Sequence, residues 1–186
     1  MQTALAIVAL TAFAASPIAQ APDVSSDCHA LRLMQRLARI DPYMPANSLE
    51  MIKRQQQASC AATSDVETIL WPTGEKAKYP GGTWLFPNGI TALFPEGRLG
   101  YAKGVPAKLV DKNGGANWRY PNGAPARLKD GSWRLPDGSP ATTSSLVAWA
   151  CSRLSPSVCE ERRADIASAR GDEADLSIIE LAWLAK

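Results

Sequence analysis

WRYPNGAPARLKDGSWRLPDG, residues 118–138, decides the fold. Three glycines, Gly123, Gly131 and Gly138, close three similar segments, and aligning outward on glycine extends the set. The segments are ILWPTG ending at Gly74, AKYPGG at Gly82, WLFPNG at Gly89, ALFPEG at Gly97, LGYAKG at Gly104, LVDKNG at Gly114, WRYPNG at Gly123, ARLKDG at Gly131 and WRLPDG at Gly138. Successive glycines lie 8, 7, 8, 7, 10, 9, 8 and 7 residues apart, the signature of an internal repeat. Five residues before each glycine stands an apolar residue. Three before it stands an aromatic or leucine in every copy but one, where Asp111 intervenes. Two positions that differ by two lie on one face of a strand. Proline in six copies presets the first corner of a turn, Asn, Asp or Glu suits the next, and glycine supplies the positive φ that reverses the chain. So short a repeat leaves strands of about three to four residues. The expectation is an antiparallel meander of up to nine strands, with β-bulges absorbing the parity change between steps of 7 and 8.

The segments WRYPNGAPARLKDGSWRLPDG and WLFPNGITALFPEG resemble the hairpin repeats of the MORN superfamily, in the variant built around an aromatic-x-Asn-Gly turn followed by an x-Asp-Gly turn. The resemblance covers residues 69–138. The Tyr-x-Gly-x-x-x-x-Gly core of the standard repeat is absent and proline is far more frequent. The resemblance implies a curved single-layer sheet serving as a non-catalytic scaffold that binds proteins or acidic lipid head groups.

Two sets of repeat residues invite function. The residue between the two apolar positions, Leu70, Lys78, Leu85, Leu93, Gly100, Val110, Arg119, Arg127 or Arg134, is expected on the opposite face. Arg119, Arg127 and Arg134 would then form an anion-binding ladder on three successive strands, or a solvated outer face partly neutralised by Asp130 and Asp137. Trp84, Trp118, Tyr120 and Trp133 define an aromatic face, open to two readings: a platform that stacks on sugars, or a packed layer in which Trp and Ala alternate to interdigitate. Helices covering that face would make it core; an open face would imply a partner.

The flanks read as helical. Residues 28–40 and 48–60 form two equal arms joined by DPYMPAN, with Leu31, Met34, Leu37 and Ala38 as an apolar stripe and Arg32, Arg36 and Arg39 as a basic one. After the repeat, 145–154, 156–170 and 173–185 read as helices, with Ser155-Pro156 as N-cap and N1, Gly171 as a stop and Asp172 as the next N-cap. Equal antiparallel arms bring Cys28 level with Cys60, which leaves Cys151 to Cys159 as the second bridge. Zinc is the competing use of four cysteines and His29, but there is no C-x-x-C pair and His29 adjoins Cys28.

The apolar run from Ala4 to Ala15, followed by Ala19-Gln20-Ala21, resembles a secretory signal peptide over residues 1–21 without its usual basic start; a buried N-terminal helix is the alternative. Beyond residue 18 no apolar run approaches the roughly 20 residues of a membrane span. In this 186-residue chain, 46% of residues are apolar and the net charge is +2, which excludes collagen-like and mainly disordered classes. The charge is unevenly placed: residues 74–140 carry +5, residues 22–73 −1 and residues 141–186 −2. This is less positive than nucleic-acid binding requires. A lone histidine, no G-x-S-x-G segment, no P-loop and no dinucleotide fingerprint leave no recognisable catalytic constellation and no cofactor.

The sequence therefore predicts an α+β protein: a signal peptide (1–21), a helical hairpin (22–66), the repeat meander (67–140) and C-terminal helices (141–186). The expected function is a secreted or periplasmic, non-enzymatic scaffold that binds another protein. The alternatives are a binder of anionic envelope glycan or lipid head groups through the arginines, and an envelope-polymer hydrolase.

Overall fold

The repeat glycines do what the turns require. In WLFPNG, Phe86 accepts a hydrogen bond from the Gly89 N–H (2.8 Å) and donates its own N–H to Ile90 (2.8 Å), with Gly89 at φ +82. This is a type I turn closed by a left-handed glycine that forms a bulge. The same pair of bonds recurs at Trp71, Tyr79, Phe94, Tyr101, Tyr120, Leu128 and Leu135. Asn88, Asn122, Asp130 and Asp137 lock their turns further, each accepting the N–H two residues on.

The structure, a computed structural model, describes residues 26–61, 69–110 and 116–186. The predicted signal peptide and the Gly114 turn lie outside the described residues. A helical hairpin, α1 (Ser26–Ile40) and α2 (Ser48–Ala61), precedes eight strands: β1 (Trp84–Leu85), β2 (Thr91–Leu93), β3 (Leu99–Gly100), β4 (Pro106–Val110), β5 (Ala116–Arg119), β6 (Pro125–Arg127), β7 (Trp133–Arg134) and β8 (Pro140–Ala141). Three helices follow, α3 (Thr143–Cys151), α4 (Pro156–Ser168) and α5 (Asp172–Leu184). The strands pair in sequence order as one open antiparallel meander, giving the expected α+β architecture. The first two repeat copies form only the isolated bridges Leu70↔Lys76 and Lys78↔Trp84. There the Ile69 carbonyl accepts from both Ala77 and Lys78.

The expected bulges are present, and they sit at alanine. Trp84 pairs with Leu93 and Leu85 with Thr91, so two residues on β1 face three on β2 and Ala92 is the extra one. The same arithmetic makes Ala107 the extra residue on β4 and Ala126 that on β6. All three are fully buried. The small size of Ala107 and Ala126 follows from the tyrosines. Tyr101 donates its hydroxyl to the Arg119 carbonyl (3.1 Å) and Tyr120 donates to that of Arg134 (2.8 Å), so each phenol reaches two strands away, over β4 or β6. A larger residue at the bulge would block that crossing. Burial, and for Tyr101 the charges of Asp41 and Glu180, push both phenols far above the ordinary tyrosine range.

One face of the sheet is sealed by helices. Leu31, Met34 and Leu37 of α1 and Leu176, Ile179 and Ala182 of α5 join Trp84, Phe86, Tyr101, Trp118, Tyr120 and Trp133 in one buried cluster. Trp183 stacks on Tyr120, with ring centres 6.0 Å apart. The disulfides are Cys28–Cys60 and Cys151–Cys159, with Cα separations of 5.1 and 5.2 Å, the pairing the hairpin geometry predicts. Ser155 caps α4 with Pro156 at its first position, as expected. The expectation for α5 is corrected by one residue: Gly171 is its N-cap, and the Asp172 carboxylate goes to Lys108 of the sheet instead of the helix end. Among the described residues no helix is long and apolar enough to cross a membrane.

The crossing tyrosine gives a stability prediction. In urea denaturation, Ala126→Leu should cost about 1–3 kcal/mol by overpacking beneath Tyr120. Ala141→Leu, on β8 where the register has no bulge, should cost clearly less; equal costs would refute the fit.

Candidate functional site

The strand register decides which side chains share a face, because residues directly opposite in an antiparallel pair lie on the same side. Paired residues join into one row across the sheet: Lys78, Trp84, Leu93, Leu99, Lys108, Trp118, Arg127, Trp133 and Ala141. This row faces the helices. Its three cations each lie over a tryptophan of a neighbouring strand: Lys78 Nζ is 5.7 Å from the Trp84 ring centre, Lys108 Nζ 6.0 Å from Trp118 and Arg127 Cζ 5.5 Å from Trp133. Each cation is also paired with a helical carboxylate, Lys78 with Asp27 of α1, and Lys108 and Arg127 with Asp172 and Asp175 of α5. Asp175 accepts a further hydrogen bond from the Trp118 indole N–H (2.9 Å).

The three arginines singled out in the sequence are therefore not one ladder. Arg127 stands in the inner row, held by Asp175, whereas Arg119 and Arg134 sit beside the inward-facing Trp118 and Trp133 and point outward by alternation. The bulge at Ala126 is the physical cause. It lets Ala126 and Arg127, adjacent in the chain, both turn toward the helices, and it shifts the parity of β6 against its neighbours. The aromatic set is placed entirely in the core: Trp84, Trp118, Tyr120 and Trp133 are each at most 3% exposed, beneath α1 and α5. In this structure no open aromatic platform exists at these four residues.

A second cluster fastens the two covering helices together. Arg36 of α1 grips Glu180 of α5 with Nε and Nη2 (both 3.2 Å) and also reaches Ser177 Oγ and the Glu173 carbonyl. Glu180 is buried, and Arg162 of α4 approaches it at 3.8 Å. His29 Nδ1 stands 3.5 Å from Glu173 at the same seam. Neither Arg36 nor the α5 carboxylates stood out in the sequence as functional, because acids in the first turn of a helix are ordinary.

The outer side of the sheet carries the cross-strand pairs Leu85↔Thr91, Gly100↔Pro106, Arg119↔Pro125 and Arg134↔Pro140. Gly100 is required there, since a Cβ would come within 2.9 Å of the Thr91 carbonyl. Arg119 is oriented by a hydrogen bond from Nη1 to the Gly123 carbonyl (2.8 Å). Among the described residues neither Arg119 nor Arg134 forms an ion pair, and no group of three His, Cys, Asp or Glu side chains lies together as a metal site. Comparison of the chain with protein-family models, curated proteins and solved structures finds no match.

Two predictions follow from this geometry. A double-mutant cycle between Asp175→Asn and Arg127→Ala should show a coupling of about 1–2 kcal/mol, while Asp175→Asn with Arg134→Ala should show none; the reverse would restore Arg127 to an outer ladder. The second concerns acid. Hydrogen bonds from the Ser139 hydroxyl and N–H hold the Asp137 carboxyl below its usual range, and those from Ser132 do the same for Asp130. A depressed carboxyl contributes stability that is complete above its unfolded value and is lost as pH falls through the folded one. Asp137→Asn keeps the acceptor and removes the titration, so its stability relative to wild type should improve in that acid window and hold constant above it, as read by denaturation at stepped pH.

Proposed function

We propose that the chain is an exported, non-catalytic interaction scaffold of MORN-like hairpins whose binding surface is the outer side of the sheet. The observation that carries this reading is the asymmetry of the sheet. Its aromatic face is filled by the chain's own helices, while the opposite face presents Arg119 and Arg134, neither of which forms a direct ion pair among the described residues, the Asp130 carboxylate feeling only the charge of Arg134. Strands only two to five residues long offer one or two outward side chains each, which favours an extended binding stripe. Two disulfides support export to an oxidising compartment. A second reading, an anionic envelope glycan or lipid head group as ligand, is favoured by the same two unpaired guanidinium groups.

The test is affinity capture from an envelope extract with wild type, Arg119→Ala/Arg134→Ala, and Arg163→Ala/Arg170→Ala, at exposed positions on and just after α4, as a charge-matched control. A protein set retained by wild type and the control but lost with the double variant supports the scaffold reading. Recovery of uronic acid or phosphate without protein supports the second reading, and capture undiminished by the double variant overturns the assigned surface.

A further inference from the structure

Resting on the scaffold reading, we infer that the outer stripe takes an acidic helix from a partner protein, one that presents two carboxylates about a turn apart to Arg119 and Arg134. The sheet already binds such a helix on its inner side. Asp172 and Asp175 of α5, three residues apart, take Lys108 of β4 and Arg127 of β6. Those cations stand two strands apart, a step of roughly 9.5 Å, and an i, i+3 carboxylate pair rises about 4.5 Å along a helix. Long basic side chains leaning inward span the difference. Arg119 of β5 and Arg134 of β7 repeat the same two-strand step on the opposite face.

The outer pair is also built alike at both positions. Each arginine follows an inward tryptophan anchored in the core, Trp118 or Trp133, and each lies opposite a proline, Pro125 or Pro140. Neither guanidinium forms a direct ion pair among the described residues; the Asp130 carboxylate in the turn before β7 feels the charge of Arg134 without closing on it, and among the same residues Arg119 has no acidic neighbour of that kind. Proline beside arginine leaves a flat, non-donating floor. With the Gly123 carbonyl orienting Arg119, the donors that face a ligand are guanidinium forks, whose geometry matches carboxylates bidentately. The inner row shows one instance in which an i, i+3 carboxylate pair on a helix reaches two basic side chains that stand two strands apart.

The experiment titrates the isotope-labelled full-length chain with three probes: an alanine-rich helical peptide bearing Asp at i and i+3, the same peptide with Asn, and a polyuronate oligomer. Saturable movement of the Arg119 and Arg134 side-chain N–H resonances with the Asp peptide, absent with the Asn peptide, is expected. Arg119→Ala/Arg134→Ala should weaken binding about tenfold, two exposed charge contacts being worth roughly 1.4 kcal/mol together. The double variant should keep the core resonances of wild type, since neither side chain enters the sealed face. Equal response to Asp and Asn peptides, or response to the polyuronate alone, overturns the inference. If the Asp peptide fails while arginine-dependent protein capture persists, the acidic-helix inference falls and the scaffold reading stands.

Discussion

The contact between a basic side chain, the tryptophan beside it and a helical carboxylate governs the whole structure. Lys78, Lys108 and Arg127 each bring these three groups together, and between them they dock both α1 and α5 onto the sheet. A sheet of strands two to five residues long cannot stand alone, because it offers too little ladder and too little apolar surface. The helices supply the missing core, and the ion pairs fix where along the sheet they sit. Half-buried charges need this arrangement in turn. Removed from most of the water, each cation is compensated by a ring face on one side and a carboxylate on the other.

This row gives the uneven charge of the sequence a structural meaning. The basic middle and the acidic ends are the two sides of one internal interface: Asp27 comes from the N-terminal segment, Asp172 and Asp175 from the C-terminal one, and all three meet cations of the repeat. A part of what looks like ligand-binding charge is therefore consumed in folding. Arg119 and Arg134 are what is left over on the meander's outer side.

The architecture was legible from residue type alone where structure is local. Glycine and proline mark each turn, apolar spacing marks each helix, and arm length predicts that Cys28 meets Cys60. Face assignment was not legible, for a specific reason. The outward position was inferred by counting back a constant number of residues from each glycine, and an alanine bulge changes that count. Ala92 and Ala126 read as the small member of a large–small packing pair, but nothing local marks them, or Ala107, as the extra residue of their strands. Arg127 was grouped with Arg119 and Arg134 on that account. The α5 carboxylates were hidden by distance: Asp175 lies 48 residues from Arg127, so no spacing rule joins them. The Trp–Ala alternation favours core over platform for the aromatic face, as the structure has it, but which segments cover it is not a local property, because α1 and α5 lie far away in the chain.

The bulge also explains how two arginines come to stand on the outer face. A regular strand of this length spends its side chains alternately, so an inward alanine beneath the crossing tyrosine would force the next residue outward. By turning Ala126 and Arg127 the same way, the bulge delivers both packing and charge to the helix side from one short strand. The neighbouring strands then need only one inward anchor before their turn and can give the next position to the outside. Trp118 and Trp133 are those anchors, and Arg119 and Arg134 are the positions released. Because each arginine directly follows a fully packed tryptophan, its Cα is held about 3.8 Å from an anchored one, and the backbone spacing of the two positions is set by the sheet.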